Sequence, residues 1–227
     1  MISVVIPTLN AADALARCLA SLVPAAMRGL VREVVVADGG SADGTLAIAE
    51  AAGARAIEAP RGRGSQLAAG ADASRSDWLL FLHADTALEA NWEEEAIAFI
   101  ESAMMECPRA AYFRFALDDF DARARRLESL VSARCRLFAL PYGDQGLLIP
   151  TRLYRKLGGF KPIPLMEDVD IVRRLGRRRL VMFRSRAFTS AERFQRDGYF
   201  SRSARNLSVL VLYALRVPTP FLVRFYG

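Results

Sequence analysis

Three short apolar runs at residues 2–6, 34–37 and 78–82, and a short strand expected over 54–58, are separated by stretches with helical spacing, and each ends in a polar or glycine-rich loop. Near-continuous apolar runs predict strands covered on both faces, and intervening helices predict parallel crossovers between them. The first helix is expected through Leu15, Leu19 and Leu22, with Asn10 or Asp13 as its cap. Further helices are expected over 45–52 and from Gly64 to about Ser74. This repeating pattern confines the first half of the chain to an α/β sheet.

Beyond His83 the alternation loosens. Helices are predicted over 92–105, 121–138, 152–157 and 167–175, and strands over 110–117, 145–149 and 180–183. No linker, repeat or low-complexity segment interrupts the 227 residues, and 52% hydrophobic side chains suffice for one core. A chain of this size can bury roughly 70–75% of its unfolded surface. One domain is therefore expected, with a nucleotide-binding portion over 1–90, a catalytic portion over 91–198 and a C-terminal apolar helix and tail over 199–227.

Composition excludes several classes. The cysteines Cys18, Cys107 and Cys135 are odd in number and widely separated, which argues against a disulfide scaffold and against a zinc module. His83 is the only histidine, so a Ser-His-Asp triad without it and a His-rich metal site are excluded. The first apolar run has no basic residues before it and is stopped by Pro7, which predicts no signal peptide and a cytoplasmic protein. The net charge of +6 is unevenly divided, −7 over residues 1–113 and +13 over 114–227. A basic half suits an anionic partner such as a membrane surface, although 29 of the 31 basic residues being Arg also fits a GC-rich coding bias. Nucleic acid is not expected, because no recognition motif accompanies the charge.

In an open parallel sheet, ligands bind beyond the carboxyl ends of the strands. The residues there are Pro7-Thr8-Leu9-Asn10, Asp38-Gly39-Gly40-Ser41, Arg61-Gly62-Arg63-Gly64 and His83-Ala84-Asp85. Together they suggest a crevice for a phosphate-bearing nucleotide, with Arg61 and Arg63 at a helix start suited to an anion. The G-x-G-x-x-G and G-x-x-x-x-G-K-[ST] fingerprints are both absent. A D-x-D-x-T nucleophile site fails as well, since His83 stands where the nucleophilic carboxylate belongs. Asp85 instead suits a divalent cation that leaves most of its coordination to water and phosphate. Later in the chain come Gly143-Asp144-Gln145-Gly146, Gly158-Gly159-Phe160 and Glu167-Asp168-Val169-Asp170. An i, i+3 or i, i+4 pairing with Arg173 or Arg174 accounts for Asp170 more readily than for Glu167 and Asp168.

Taken in order, SVVIPTLNA, VVVADGGSADGT, FLHADT, GGF and MEDVDIVRRL resemble the family-2 glycosyltransferases, inverting enzymes with the type-A glycosyltransferase fold. The resemblance runs over roughly residues 2–176, and PYGDQG before the GGF is similar to a compact bacterial group. It implies a mostly parallel central sheet and a nucleotide-sugar donor. Pro7, Thr8 and Asn10 would line the nucleotide pocket in the company of the Asp38-Gly39 turn, Asp38 would hydrogen-bond the base, and Arg63 with neighbouring Arg61 would approach the diphosphate. Asp85 would hold Mn²⁺ or Mg²⁺, while His83 departs from the acid usual at its position. Asp168 would be the general base, with Glu167, Asp144 and Gln145 on the acceptor and sugar side. A nucleotidyltransferase and a non-catalytic nucleotide-sugar-binding protein are the alternatives; the first lacks its glycine-rich loop here, and the second needs no base at Asp168.

The stretch from Leu207 to Leu215 is too short for the roughly 20 residues that span a bilayer. Flanked by Arg202, Arg205, Arg216 and Arg224, it is expected either to pack on its own domain or a second subunit, or to lie at the inner face of a membrane and meet a lipid-linked or amphiphilic acceptor.

Overall fold

The computed structural model describes residues 1–105 and 108–226, so Cys107 lies outside the described residues. In chain order the elements are β1 (Ile2–Thr8), α1 (Ala12–Ala20), α2 (Val23–Met27), β2 (Val31–Asp38), α3 (Thr45–Ala51), β3 (Arg55–Glu58), α4 (Arg63–Ala73), β4 (Trp78–Phe81), β5 (Thr86–Leu88) and α5 (Trp92–Met105). They continue with β6 (Ala110–Leu117), α6 (Ala122–Phe138), β7 (Leu147–Pro150), α7 (Thr151–Lys156), α8 (Glu167–Leu175), β8 (Leu180–Thr189), α9 (Glu192–Asp197), α10 (Tyr199–Ala214) and α11 (Thr219–Tyr226).

The strands form one sheet in the order β3-β2-β1-β4-β7-β6-β8-β5. The first four are mutually parallel, as the alternation predicts. β7 runs antiparallel to both β4 and β6, β6 and β8 are parallel, and β5 is antiparallel to β8. The largely apolar character of β1, with Ser3 and Thr8 as its buried polar residues, follows from its position. Ile2, Val4 and Ile6 face a core with Leu15 and Leu19 of α1 and Trp92 and Phe99 of α5, while Val5 faces the opposite core with Leu67 of α4 and Ile171 of α8.

Several local expectations are corrected. Neither Asn10 nor Asp13 caps α1: Ala11 occupies the cap position, and Asn10 adopts a left-handed turn with φ 50°. Residues 143–145 form a tight 3-10 turn, so β7 starts at Leu147 rather than 145, and β8 extends to Thr189 because β5 and β6 pair with it along its length. The short elements β5 and α9 and the terminal α11 carry no clear periodicity and are apparent only in three dimensions.

The parallel arrangement of β1 to β4 puts their carboxyl ends on one edge of the sheet. The second half is brought against that edge by a close approach at Gly64 in the first turn of α4. A Cβ there would lie 2.2 Å from the Lys161 carbonyl oxygen, so only glycine lets the segment leading into α8 pass so near.

Candidate active site

The ends of β1 and β2 are stitched to each other. Thr8 donates its hydroxyl to Asp38 Oδ1 at 2.9 Å, and the Gly40 and Ser41 amides donate to Asp38 Oδ2 at 2.9 and 2.7 Å. The Ser41 hydroxyl completes the set on Oδ1. Burial pushes the Asp38 carboxyl up, but the hydrogen bonds from Ser41, Thr8 and Gly40 outweigh it and hold the group below the usual range. Asn10 accepts the Ala42 amide at 2.9 Å, and Gln66 of α4 donates to the carbonyls of Thr8 and Ala37 at 2.6 and 2.9 Å. The last contact, which the sequence reading missed, locks α4 to both strand ends.

Beside this floor lies a cleft of about 780 Å³, bordered by Pro7, Thr8, Asn10, Arg61, Arg63, His83 and Asp85. The residues collected from three of the four strand ends do converge. Asp38 and Gly39 do not border it: Asp38 is buried with both oxygens engaged by its own loop, and Gly39 packs against the Gln66 side chain. The Asp38 oxygens accept from the Thr8 and Ser41 hydroxyls and the Gly40 and Ser41 amides, which shapes the loop; the expected contact of Asp38 with a base is not among the bonds that this arrangement brings together.

Arg63, His83 and Asp85 also border a smaller recess of about 110 Å³, together with Asp144, Glu167 and Asp168. Asp168 is held at both oxygens, Oδ2 accepting the Gly143 amide and Oδ1 the Val169 amide, each at 2.7 Å. Gly143 is the close contact that makes this possible. A Cβ on it would come within 2.5 Å of His83 Nε2 and 3.4 Å of Asp168 Oδ2.

Glu167 is 1% exposed, and its Oε1 lies 3.5 Å from Arg63 Nη1 without a hydrogen-bond partner. Burial, reinforced by the neighbouring Asp168 charge, pushes its carboxyl up against the opposing attraction of Arg63. Asp144 behaves similarly. Although part of the residue is exposed, its Oδ1 is enclosed and unpartnered. Burial raises its pKa to about 6, aided by Asp168 and Asp85 and opposed by Arg134 and Arg63.

Gln145 belongs elsewhere. The turn directs it into the core, where Nε2 donates to the Phe113 carbonyl at 3.1 Å and Oε1 accepts the Tyr142 amide at 3.3 Å. It borders neither cavity, so its expected place on the sugar side is corrected to a structural one. Asp170 pairs with Arg174 and with Lys161, whereas Arg173 lies over the Tyr213 ring.

Among the described residues no three acidic, histidine or cysteine side chains converge as a ready-made metal cage. The donor set nonetheless fits a hard divalent cation. Asp85 offers a carboxylate that borders both cavities, and the Asp144 side chain, with its enclosed oxygen, borders the same recess. A cation of this type completes its shell with water and phosphate oxygens.

The C-terminal helices complete the walls. Phe194 of α9 and Arg202 and Asn206 of α10 border the recess, and Val223 of α11 borders the cleft. On α10, Val209 and Leu210 pack with Met166, Val169 and Leu222, while Leu207, Val211 and Leu215 face outward, 49–71% exposed. The helix thus packs on its own domain and keeps an apolar outer face. The Arg224 side chain lies outside the described residues. No helix among them is long and apolar enough to cross a membrane.

Comparison with known proteins bears on the family and the fold. The profile of the family described as Glycosyl transferase family 2 matches residues 3–156. PGL/p-HBAD biosynthesis glycosyltransferases of Mycobacterium tuberculosis and Mycobacterium bovis are 39% identical over 108 residues, which is 44% of this chain and 41% of theirs. The match therefore spans well under half the length of these relatives. Among solved structures, the glucosyl-3-phosphoglycerate synthase of Mycobacterium tuberculosis, in complex with Mn²⁺, UDP and glucosyl-3-phosphoglycerate, superposes with a TM-score of 0.57 at 22% identity, covering 84% of this chain and 70% of that one. TarS of S. aureus, residues 1–349, gives 0.66 at 15% identity, covering 99% and 69%. At these identities the likeness is one of fold, that of the type-A glycosyltransferases.

Proposed function

We propose, from the premise that this chain belongs to glycosyl transferase family 2, that it transfers a sugar from a nucleoside diphosphate donor to an acceptor hydroxyl with inversion at the anomeric carbon. The observation that carries the reading is the sharing of Arg63, His83 and Asp85 between cleft and recess. A donor lying in the cleft would present its diphosphate to Arg61 and Arg63 and its anomeric carbon towards the recess, where Asp168 is fixed by two backbone amides. Binding of UDP with Mn²⁺ by the glucosyl-3-phosphoglycerate synthase supports a donor and a divalent cation of these classes.

Asp168 accepts the acceptor's hydroxyl proton as that oxygen bonds to the anomeric carbon. The bond from that carbon to the diphosphate oxygen breaks, and the nucleoside diphosphate departs with the electron pair. General-base assistance of this kind is typically worth about 10²–10⁴-fold. The Arg61 and Arg63 guanidiniums neutralise charge growing on the leaving oxygens, a transition-state interaction. A divalent cation, when held by Asp85 with the Asp144 oxygen nearby, supplies further charge stabilisation to the diphosphate.

A specific observation favours a second assignment of the base. Glu167 is buried in the recess beside Arg63 with a carboxyl shifted upward, the condition of a group poised to exchange protons near neutral pH. The two variants Asp168→Asn and Glu167→Gln separate the readings. With Asp168 as base, Asp168→Asn lowers transfer by about 10²–10⁴-fold at nearly constant donor affinity while Glu167→Gln costs far less; the reverse order assigns Glu167. Retention of full transfer by both variants refutes the carboxylate mechanism. The donor itself is found by a thermal-shift screen of nucleoside diphosphates and nucleotide sugars with and without Mn²⁺, since ligand binding to the folded state raises its stability.

The acceptor in this proposal is amphiphilic or lipid-linked and is met at the inner face of a membrane. Support comes from the outward Leu207, Val211 and Leu215 of α10, with Arg205 and Arg216 close by in sequence. Apolar side chains can enter the interface there while guanidinium groups stay at phosphate level.

A further inference from the structure

The recess has a wall that lies outside residues 3–156, the part matched by the family profile. Asn206 and Arg202 are four residues apart on α10, which places them one turn apart on the same helix face. Both border the recess that holds Glu167 and Asp168. Asn206 Oδ1 is enclosed and has no hydrogen-bond partner. Arg202 is held in place from two sides. Its Nη1 donates to Asp197 Oδ2 at 2.8 Å, its guanidinium lies 5.6 Å from the centre of the Phe194 ring, and its side chain is 11% exposed. A fixed donor one helical turn from an unsatisfied acceptor, on the recess that also holds the candidate base, is suited to recognising a ligand.

We propose that this wall reads the acceptor, and that the acceptor group entering the recess is a neutral hydroxylated ring, a glycoside, rather than a carboxylate- or phosphate-bearing one. The inference rests on the transferase reading above and adds the acceptor class to it. A hydroxyl donates one hydrogen bond and accepts others, so a single hydroxyl can donate to Asn206 Oδ1 while accepting from Arg202. An ionised carboxylate has nothing to donate to that oxygen. The charge balance points the same way. Four carboxylates, Asp85, Asp144, Glu167 and Asp168, border the recess against two arginines, and Arg202 already pairs with Asp197 while Arg63 lies beside Glu167. Even with a divalent cation taking up Asp85 and Asp144, an anion there would meet Asp168 and Glu167 in a partly desolvated site, where repulsion is costly. Leu165 and Met166 add an apolar surface for the C–H groups of a ring. The volume of about 110 Å³ has room for several water-sized groups, about what one such ring displaces.

The test is saturation-transfer NMR with titration, on the full chain in the presence of UDP and Mn²⁺. The neutral probes are the methyl glycosides of glucose, galactose, mannose and rhamnose. The anionic probes are methyl glucuronide, glucose 6-phosphate and 3-phosphoglycerate. The expected result is binding of at least one neutral glycoside in preference to every anionic probe. Its affinity should fall about ten-fold in Asn206→Ala and in Arg202→Gln, as loss of a hydrogen bond to a charged or enclosed partner implies. UDP–Mn²⁺ affinity should stay within about two-fold in both variants if the wall contacts only the acceptor. Asn206→Ala removes no ion pair, so it remains informative even if Arg202→Gln loosens α10. Tighter binding of an anionic probe, no binding of any neutral glycoside, or neutral binding that survives both substitutions overturns the proposal. Failure of the wild type to bind either UDP or GDP with Mn²⁺ counts instead against the transferase reading, and the glycoside comparison is repeated without nucleotide and judged by the same outcomes.

Discussion

Asp144→Asn should stabilise the protein at the expense of its ligand site. In the folded chain the Asp144 carboxyl titrates at about 6, against 3.8 for the ordinary group, chiefly because burial disfavours its charge. The folded state therefore holds this proton more tightly than the unfolded chain does. The corresponding stability is fully present below pH 3.8 and is lost as pH rises through about 6. A difference of about two pK units corresponds to about 3 kcal/mol at pH 8, and to about half of that at pH 5. Asparagine never ionises, so the variant keeps at pH 8 what the wild type has lost.

For a chain of this size 1 kcal/mol moves Tm by about 2–4 °C, giving an advantage of about 6–12 °C at pH 8 and about 3–6 °C at pH 5. The assay is thermal unfolding of both proteins in EDTA across this pH range. EDTA keeps divalent cations from masking the repulsion. The same substitution should weaken UDP–Mn²⁺ binding, because the charge that destabilises the empty recess is available to a cation in the filled one. An equal Tm difference at pH 5 and pH 8, or none at pH 8, would refute the assignment of an ionised, unpartnered carboxylate to this recess.

Asp85→Ala should weaken nucleoside diphosphate binding in Mn²⁺ much more than in EDTA, as measured by calorimetry; equal loss in both conditions would identify a direct contact or a folding defect. The wild-type protein should co-sediment with anionic vesicles at low salt and be released as salt rises, each interfacial cation contributing about 1 kcal/mol. Val211→Asp on the outer face of α10 should abolish that binding without lowering Tm, because the Val211 side chain is half exposed; absence of vesicle binding by the folded wild type refutes the membrane proposal.

The parts of this protein legible in the sequence are those decided by local interactions. The strands β1, β2 and β4 could be read because a strand covered on both faces is apolar at nearly every position, as Ile2 to Ile6 are apart from the buried Ser3; β3, whose residues alternate between half-buried and exposed, was legible from its place between two helical stretches. The carboxyl ends of parallel strands share one edge, so Pro7, Asn10, Arg61, Arg63 and Asp85 could be gathered without coordinates. Helix α8 and its acidic start were legible for a similar reason, since its periodicity and first-turn carboxylates lie within one short segment.

Other features depended on directions and distances that local sequence does not encode. Asp144 and Gln145 are adjacent and equally polar, yet a tight turn sends one side chain to the recess and the other to the Phe113 carbonyl. Asp38 ends a strand much as Asp85 follows one, but the fold of the Gly40-Ser41 turn brings that loop's own donors onto both of its oxygens, a closure that local sequence does not display. Arg202 and Asn206 lie more than thirty residues beyond Asp168, on a helix whose apolar run fits packing on its own domain, on a second subunit or on a membrane equally well. Packing of Val209 and Leu210 against Met166 and Val169 turns their polar neighbours into the recess. Local periodicity determines which residues become a helix or a strand; only the long-range packing of that element against another determines which of its polar side chains meet.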